Sequence, residues 1–191
     1  MSKTKVVTGG LDQTGSFDFT SGVTLGDNLL FDASSKGVYL GVTSATAANL
    51  LDDYEEGTWT PDLQFGGAKV GILYSALDGH YIKVGNKVTV SAVLELSSKG
   101  SSSGSLEIYG LPFTVADTLA GTSLDNHGFV GFYDNVASSA VYNMGVATPA
   151  SSTKMYLYHA SSSGGSMSGN MDNGDVNDNF SIRLSAVYFT S

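Results

Sequence analysis

The sequence contains no cysteine. That excludes disulfide staples, thiolate-held zinc and thiol nucleophiles, and it leaves the redox compartment open. Charge is scarce as well: 14% of the 191 residues are charged, against about 25% in ordinary soluble domains. The balance is acidic, with a net charge of −9, and Arg183 is the lone arginine among scattered lysines. A nucleic-acid backbone is bound by clustered cations, so nucleic acid is not an expected partner. No apolar run is long enough to cross a bilayer, and Met1-Ser-Lys-Thr-Lys5 is not followed by the apolar stretch of a secretion signal. Neither a membrane nor a signal-directed route is expected. His80, His127 and His159 have no ligand spacing among themselves, and the chain has no nucleophile elbow of the G-x-S-x-G kind. The expectation is a protein without a cofactor and without enzymatic activity.

What the chain does have is 24 glycines and only 3 prolines, with abundant Ser, Thr, Val and Tyr. Glycine and β-branched residues disfavour helices and suit strands joined by tight turns. From Gly57 onward, apolar residues alternate over long stretches. Val88, Val90, Ala92, Leu94 and Leu96 share one face, and Phe180, Ile182, Leu184, Ala186 and Tyr188 share another. Val187 and Phe189 make the end of the second strand apolar on both faces, as expected of a central strand or one lying against another subunit. Gly85-Asn86 between two such runs predicts a two-residue hairpin with Gly85 at positive φ. Further strands are expected at Leu106–Tyr109, Phe129–Tyr133, Ala140–Val146 and Lys154–His159. About seven or eight strands with Ser, Gly and Asn turns predict an all-β fold, a jelly-roll-like β-sandwich over residues 62–191.

Residues 1–50 differ. Their apolar residues come singly or in short groups between frequent glycines, and so small a segment cannot close a core alone. We expect an extended, intertwined β region in which strands from different chains pair and share an apolar seam, with Phe17, Phe19, Leu29, Phe31 and Tyr39 as attachment residues; a disordered segment is the alternative. Ser44–Asp53 is the one plausible helical turn, read as a connector. Residues 51–61 form a junction, with Trp59 and Pro61 anchoring the chain where it enters the sandwich. Asp52, Asp53, Glu55 and Glu56 are crowded there. Paired carboxylates can hydrolyse glycosides, but with no apolar pocket signal around them they read as a solvated charge cluster.

Asp172, Asp175 and Asp178 lie in an oxygen-rich stretch that could ligate calcium. The order departs from an EF-hand, and an Asx-turn hairpin explains it equally well. The ten tyrosines and nine phenylalanines exceed what one core needs, so some are expected to face partners. Tyr133, Asn135, Asn170 and Asp172 mark the loops expected to face a receptor.

The segment Leu51-Asp-Asp-Tyr-Glu-Glu-Gly-Thr-Trp-Thr-Pro61 resembles a junction found in bacteriophage tail-fibre and virion structural proteins. Gly71-Ile-Leu-Tyr74, Gly79-His-Tyr-Ile-Lys-Val-Gly85 and Gly110-Leu-Pro-Phe113 follow it in the order seen there. Leu25-Gly-Asp-Asn28 and Val38-Tyr-Leu-Gly41 are similar to the units that end the N-terminal parts of such fibres. The resemblance implies a homotrimeric virion protein, assembled in the bacterial cytoplasm. It would dock on other virion proteins through its N-terminal region and expose a β-domain to a bacterial surface glycan. A capsid decoration protein or head fibre is the alternative.

Overall fold

The computed structural model describes residues 24, 26–31, 36–117, 126–137, 141, 143–160 and 169–190, with the side chains of Asn126 and His127 excepted. Phe17 and Phe19 lie outside the described residues. The chain divides into two units, Met1–Ser34 and Ser35–Ser191. In the first, Leu29 and Phe31 are exposed. The second begins with a small ladder of β1 (Val38–Tyr39) against β2 (Leu50–Leu51), joined through a 3₁₀ turn at Ala47–Asn49. That turn lies within the expected helical connector, and Tyr39 is exposed beside it.

Among the described residues, ten strands then form one antiparallel sheet. In chain order they are β3 (Tyr54–Thr58), β4 (Asp62–Phe65), β5 (Ile72–Val84), β6 (Lys87–Lys99), β7 (Leu106–Tyr109), β8 (Asn126–Val136), β9 (Asn143–Thr148), β10 (Lys154–Ala160), β11 (Gly169–Asn170) and β12 (Val176–Phe189). Their spatial order is β3-β5-β6-β12-β8-β9-β10-β7-β4, with β11 paired to β10. The all-β expectation holds. Tyr54–Thr58, read above as part of a charged connector, is instead an edge strand. It pairs with β5 along one side, Glu55 accepting a hydrogen bond from Tyr81 of β5 and Glu56 one from the Tyr54 hydroxyl within the strand.

That order forces the sheet to curl. β3 and β4 are its opposite ends, yet only Trp59, Thr60 and Pro61 separate them. Laid flat, the eight steps between them would span about 38 Å at roughly 4.8 Å per strand. The four Cα steps from Thr58 to Asp62 reach at most about 14 Å. The sheet therefore rolls into a half-barrel whose two halves meet across one core. The alternating faces read from sequence supply that core: Val88, Val90, Leu94, Phe180, Ile182 and Tyr188 are fully buried. Leu63, Phe65, Leu106, Ile108, Met155 and Leu157 come from the opposite half. Of the hairpin's two central residues only Gly85 is left-handed, at φ +57. Val187 and Phe189 lie outward and exposed on β12, which is central, between β6 and β8.

The segments that carry the resemblance meet at this crossover. Trp59 is buried, its indole N–H shared between the carbonyls of His80 (3.2 Å) and Ser91 (3.1 Å). A Cβ on Gly79 would stand 2.5 Å from the Trp59 carbonyl oxygen, and one on Gly110 2.4 Å from that of Thr60. Only glycine permits either approach. Pro61 is buried and brings no N–H needing a partner at the bend. Tyr81 meets Phe113 edge to face at 5.4 Å, Lys83 lies over the Phe113 ring at 5.5 Å and also pairs with Asp53, and Tyr81 hydrogen-bonds Glu55. Two of the crowded carboxylates are thus held by β5 rather than free in solvent.

Tyr74, the last residue of the Gly71-Ile-Leu-Tyr74 segment, completes the closure. The Leu63 N–H faces away from β7, on the free edge of β4, and donates to the Tyr74 hydroxyl at 2.8 Å. Removing that hydroxyl strands a part-buried donor, which costs about 1–3 kcal/mol. Tyr74→Phe should therefore lower the unfolding free energy by that amount, read as a lower urea midpoint at unchanged slope, while leaving the far-ultraviolet circular dichroism unchanged.

Candidate functional site

The outer face of the sheet carries two polar clusters. On the β4–β7–β10 side, Lys154 Nζ lies 2.9 Å from Glu107 Oε1 and stacks over the rings of Tyr156 (4.8 Å) and Tyr109 (5.3 Å). The Tyr109 hydroxyl donates to Glu107 Oε2 at 2.7 Å. Burial alone would raise the Glu107 pKa, but hydrogen bonds from Lys154 and Tyr109 outweigh it and hold the carboxyl below its ordinary 4.5. Burial likewise opposes the Lys154 charge, and bonds to Tyr156 and Glu107 overcome it, raising its pKa. These groups satisfy one another, which is a structural arrangement rather than an open site. A carboxylate with a depressed pKa stabilises the fold above its unfolded pKa, and the contribution disappears as pH falls through the folded value. Glu107→Gln should accordingly be less stable than the parent at neutral pH, with the gap closing below about pH 4.5; urea midpoints across that range measure it.

The second cluster surrounds Arg183, and it is set where regular pairing breaks. On β5, Ser75 is left between the pairs Tyr74↔Leu96 and Ala76↔Glu95. On β8, Gly131 is left between the partners of Arg183 and Leu184. Opposite Asn135, the β12 register slips between Val176 and Ser181. β-Bulges re-aim side chains and are enriched beside functional sites. Here the three irregularities border one open groove of about 290 Å³.

Ser75, Glu95, Phe132, Asn135, Asn179 and Arg183 are among the residues lining the groove. Arg183 Nη2 donates to Glu95 Oε1 at 3.0 Å, and the guanidinium lies 4.7 Å from the Phe132 ring centroid. Phe132 remains 41% exposed. Asn135 is held at φ +60, a left-handed conformation uncommon outside glycine. Its N–H donates to Asp134 Oδ1 at 2.8 Å and its side-chain amide to the Asn179 carbonyl at 3.1 Å. The groove is therefore pre-shaped, and it combines an aromatic ring, carboxylates, amides and a guanidinium.

Comparisons with known proteins bear on the fold. No protein-family model matches the chain, and no curated protein matches it either. A crystal structure of the Dettilon tailspike protein (gp208) is similar in fold. It shares 19% sequence identity with this chain, at a TM-score of 0.50 over 71% of the chain. The match covers 24% of that tailspike, so the chain corresponds to about a quarter of its length.

Of the residues expected to face a receptor, the structure brings only Asn135 to the groove. Tyr133 packs against the core. Asn170 pairs with Tyr158 and Asp172 with Ser105, both on the β7–β10 side. Asp172 Oδ1 accepts the Gly174 N–H at 2.6 Å and Asp175 Oδ2 the Asp172 N–H at 2.9 Å, the geometry of an Asx-turn hairpin. Asp178 accepts the Lys99 N–H at 3.2 Å. The stretch 170–179, expected as a loop, becomes β12 from Val176 onward because Val176 and Phe180 are drawn into the core. Among the described residues no acidic or histidine side chains group as a metal site. Sequence reasoning missed Glu95, Phe132 and Arg183 as neighbours. The available signal was an arginine facing outward from a central strand.

Proposed function

We propose that this chain is a structural component of a bacteriophage particle, a homotrimeric tail-fibre or tailspike protein whose β-domain faces the host surface. The observation that carries the reading is the coincidence of two independent likenesses. The Leu51–Pro61 segment and its companion motifs resemble virion proteins, and the curled sheet they close is similar in fold to a tailspike. In this reading the chain binds and does not catalyse, it resides in the virion, and residues 1–50 dock on other virion proteins.

Exposed apolar residues support a partner copy. Across the outer face, Tyr54 stands opposite Val84, and Phe189 lies beyond on the same row through Lys87; Ile82 and Val187 flank them through Thr89. All five are exposed. Apolar side chains gathered on one outer face, here on both sides of Lys87 and Thr89, suit a protein contact. Multi-angle light scattering of the purified chain should give close to three times its mass of 19.8 kDa; a monomer would refute the trimer. Immunogold labelling of phage particles should decorate the tail. Label over the shell would instead favour a capsid decoration protein.

A further inference from the structure

We propose that Lys83 and Asp53 condense into an intramolecular amide that fastens the edge strand β3 to β5, with Glu55 relaying protons. This goes beyond the virion reading and does not depend on it. Lys83 alternates with outward residues of β5 and shares the inward side with Tyr81. It is only 9% exposed, and its amine lies 5.5 Å from the centroid of the Phe113 ring. Lysine is almost never so buried without a partner. The partner is the Asp53 carboxylate, thirty residues earlier in the chain. Glu55 stands directly across the ladder from Lys83, and residues directly opposed on paired strands share a face. An amine, a carboxyl carbon and a second carboxylate are thus gathered beside the rings of Tyr81 and Phe113.

The step needs no oxidant, reductant or co-reactant. Lys83 Nζ gives up two of its three protons through Glu55 and attacks Asp53 Cγ. The N–C bond forms, one C–O bond breaks, and the departing Asp53 oxygen takes both protons and leaves as water. One positive and one negative charge vanish together. Groups fixed side by side react at effective molarities of about 10⁵–10⁸ M, which favours closing the amide. Burial acts in the same direction, because two ions that are costly to desolvate become one neutral group. Asp53 is about half exposed, so the water has a route out. Lys154 and Glu107 form a contrasting pair. Lys154 faces Tyr109 across the ladder, where Lys83 faces a carboxylate, and the Tyr109 hydroxyl helps to hold Glu107 ionised.

The position is where a covalent link has most effect. β3 is five residues long and pairs along one side only, and a chain without cysteine cannot hold it with a disulfide. Asp53 immediately precedes β3. Tension arriving along the chain from its N-terminal side would separate Tyr54 from Val84 first, and an amide at Asp53 stops that separation before it begins.

The test is intact-mass spectrometry of the purified full chain, unfolded before measurement, followed by tryptic mapping. The parent should be lighter than its sequence by one water. Its digest should hold a branched peptide joining Asp53 to Lys83, with no cleavage after Lys83. Lys83→Arg keeps the positive charge but loses the amine, and it should show the full mass of its sequence, as should Asp53→Ala. In Glu55→Gln the side-chain carbonyl can still accept the Tyr81 hydroxyl. That chain should keep the parent's circular dichroism and remain largely unlinked. A parent at full mass, a lost water that maps elsewhere, such as to Asp78-Gly79, or Glu55→Gln linked as completely as the parent would each overturn the assignment. The parent's branched peptide decides the bond even where a variant does not fold.

Discussion

The sheet has two ends and three residues in which to join them. Trp59, Thr60 and Pro61 link β3 to β4, and the strand order makes those the terminal strands. Everything else about the domain follows from that short tether. A sheet whose ends must meet has to curl, and a curled sheet encloses one apolar face and presents the other to solvent. The enclosed face is then filled by the alternate residues of β6 and β12 packing against those of β4, β7 and β10. The tether also explains its own composition. An indole fills the space beneath the bend, a proline removes a donor that could not be paired, and glycines on β5 and after β7 let the backbone come close.

Closure is polar where it might have been a continuous ladder. β3 and β4 do not pair with one another; the Tyr74 hydroxyl caps the Leu63 N–H instead, and the Asp53–Lys83 and Glu55–Tyr81 contacts tie β3 to β5. This leaves the edges blunted by charges and side chains, a known way of keeping sheet edges from recruiting foreign strands. The carboxylates crowded before Trp59 therefore have a structural use. They also illustrate why crowding alone does not identify chemistry: Asp53 and Glu55 are assigned by Lys83 and Tyr81 on β5, and Glu56 by Tyr54 in its own strand.

The outer face divides by function along the same physical lines. Where pairing is regular, its rows are apolar near Val84 and Phe189 or self-satisfied near Lys154 and Glu107. Where pairing slips on β5, β8 and β12, a groove opens, and polar groups of unlike kind gather around Phe132. A regular strand can present only every second residue to a face. Regular pairing of β12 with β6 sets Arg183 diagonal to Glu95, and the slips on the neighbouring ladders free Ser75 and Asn135 from that restriction beside them.

The sequence by itself determined the class of the fold and the inward faces of its longest strands, because period-two alternation is a local property that burial then uses. It also determined the Gly85-Asn86 turn, since positive φ at its first residue favours glycine whatever surrounds it. The resemblance located Trp59 and Pro61 but not their task. Only the tertiary structure decided that Tyr54–Thr58 is an edge strand, that Tyr133 turns to the core, and that the Asp172 stretch is a hydrogen-bonded turn. It alone decided the groove. Strand order and register slips are set by the summed packing of the whole sheet, and no window of neighbouring residues encodes them; Arg183 could be seen to face outward from a central strand, but not which side chains would stand beside it.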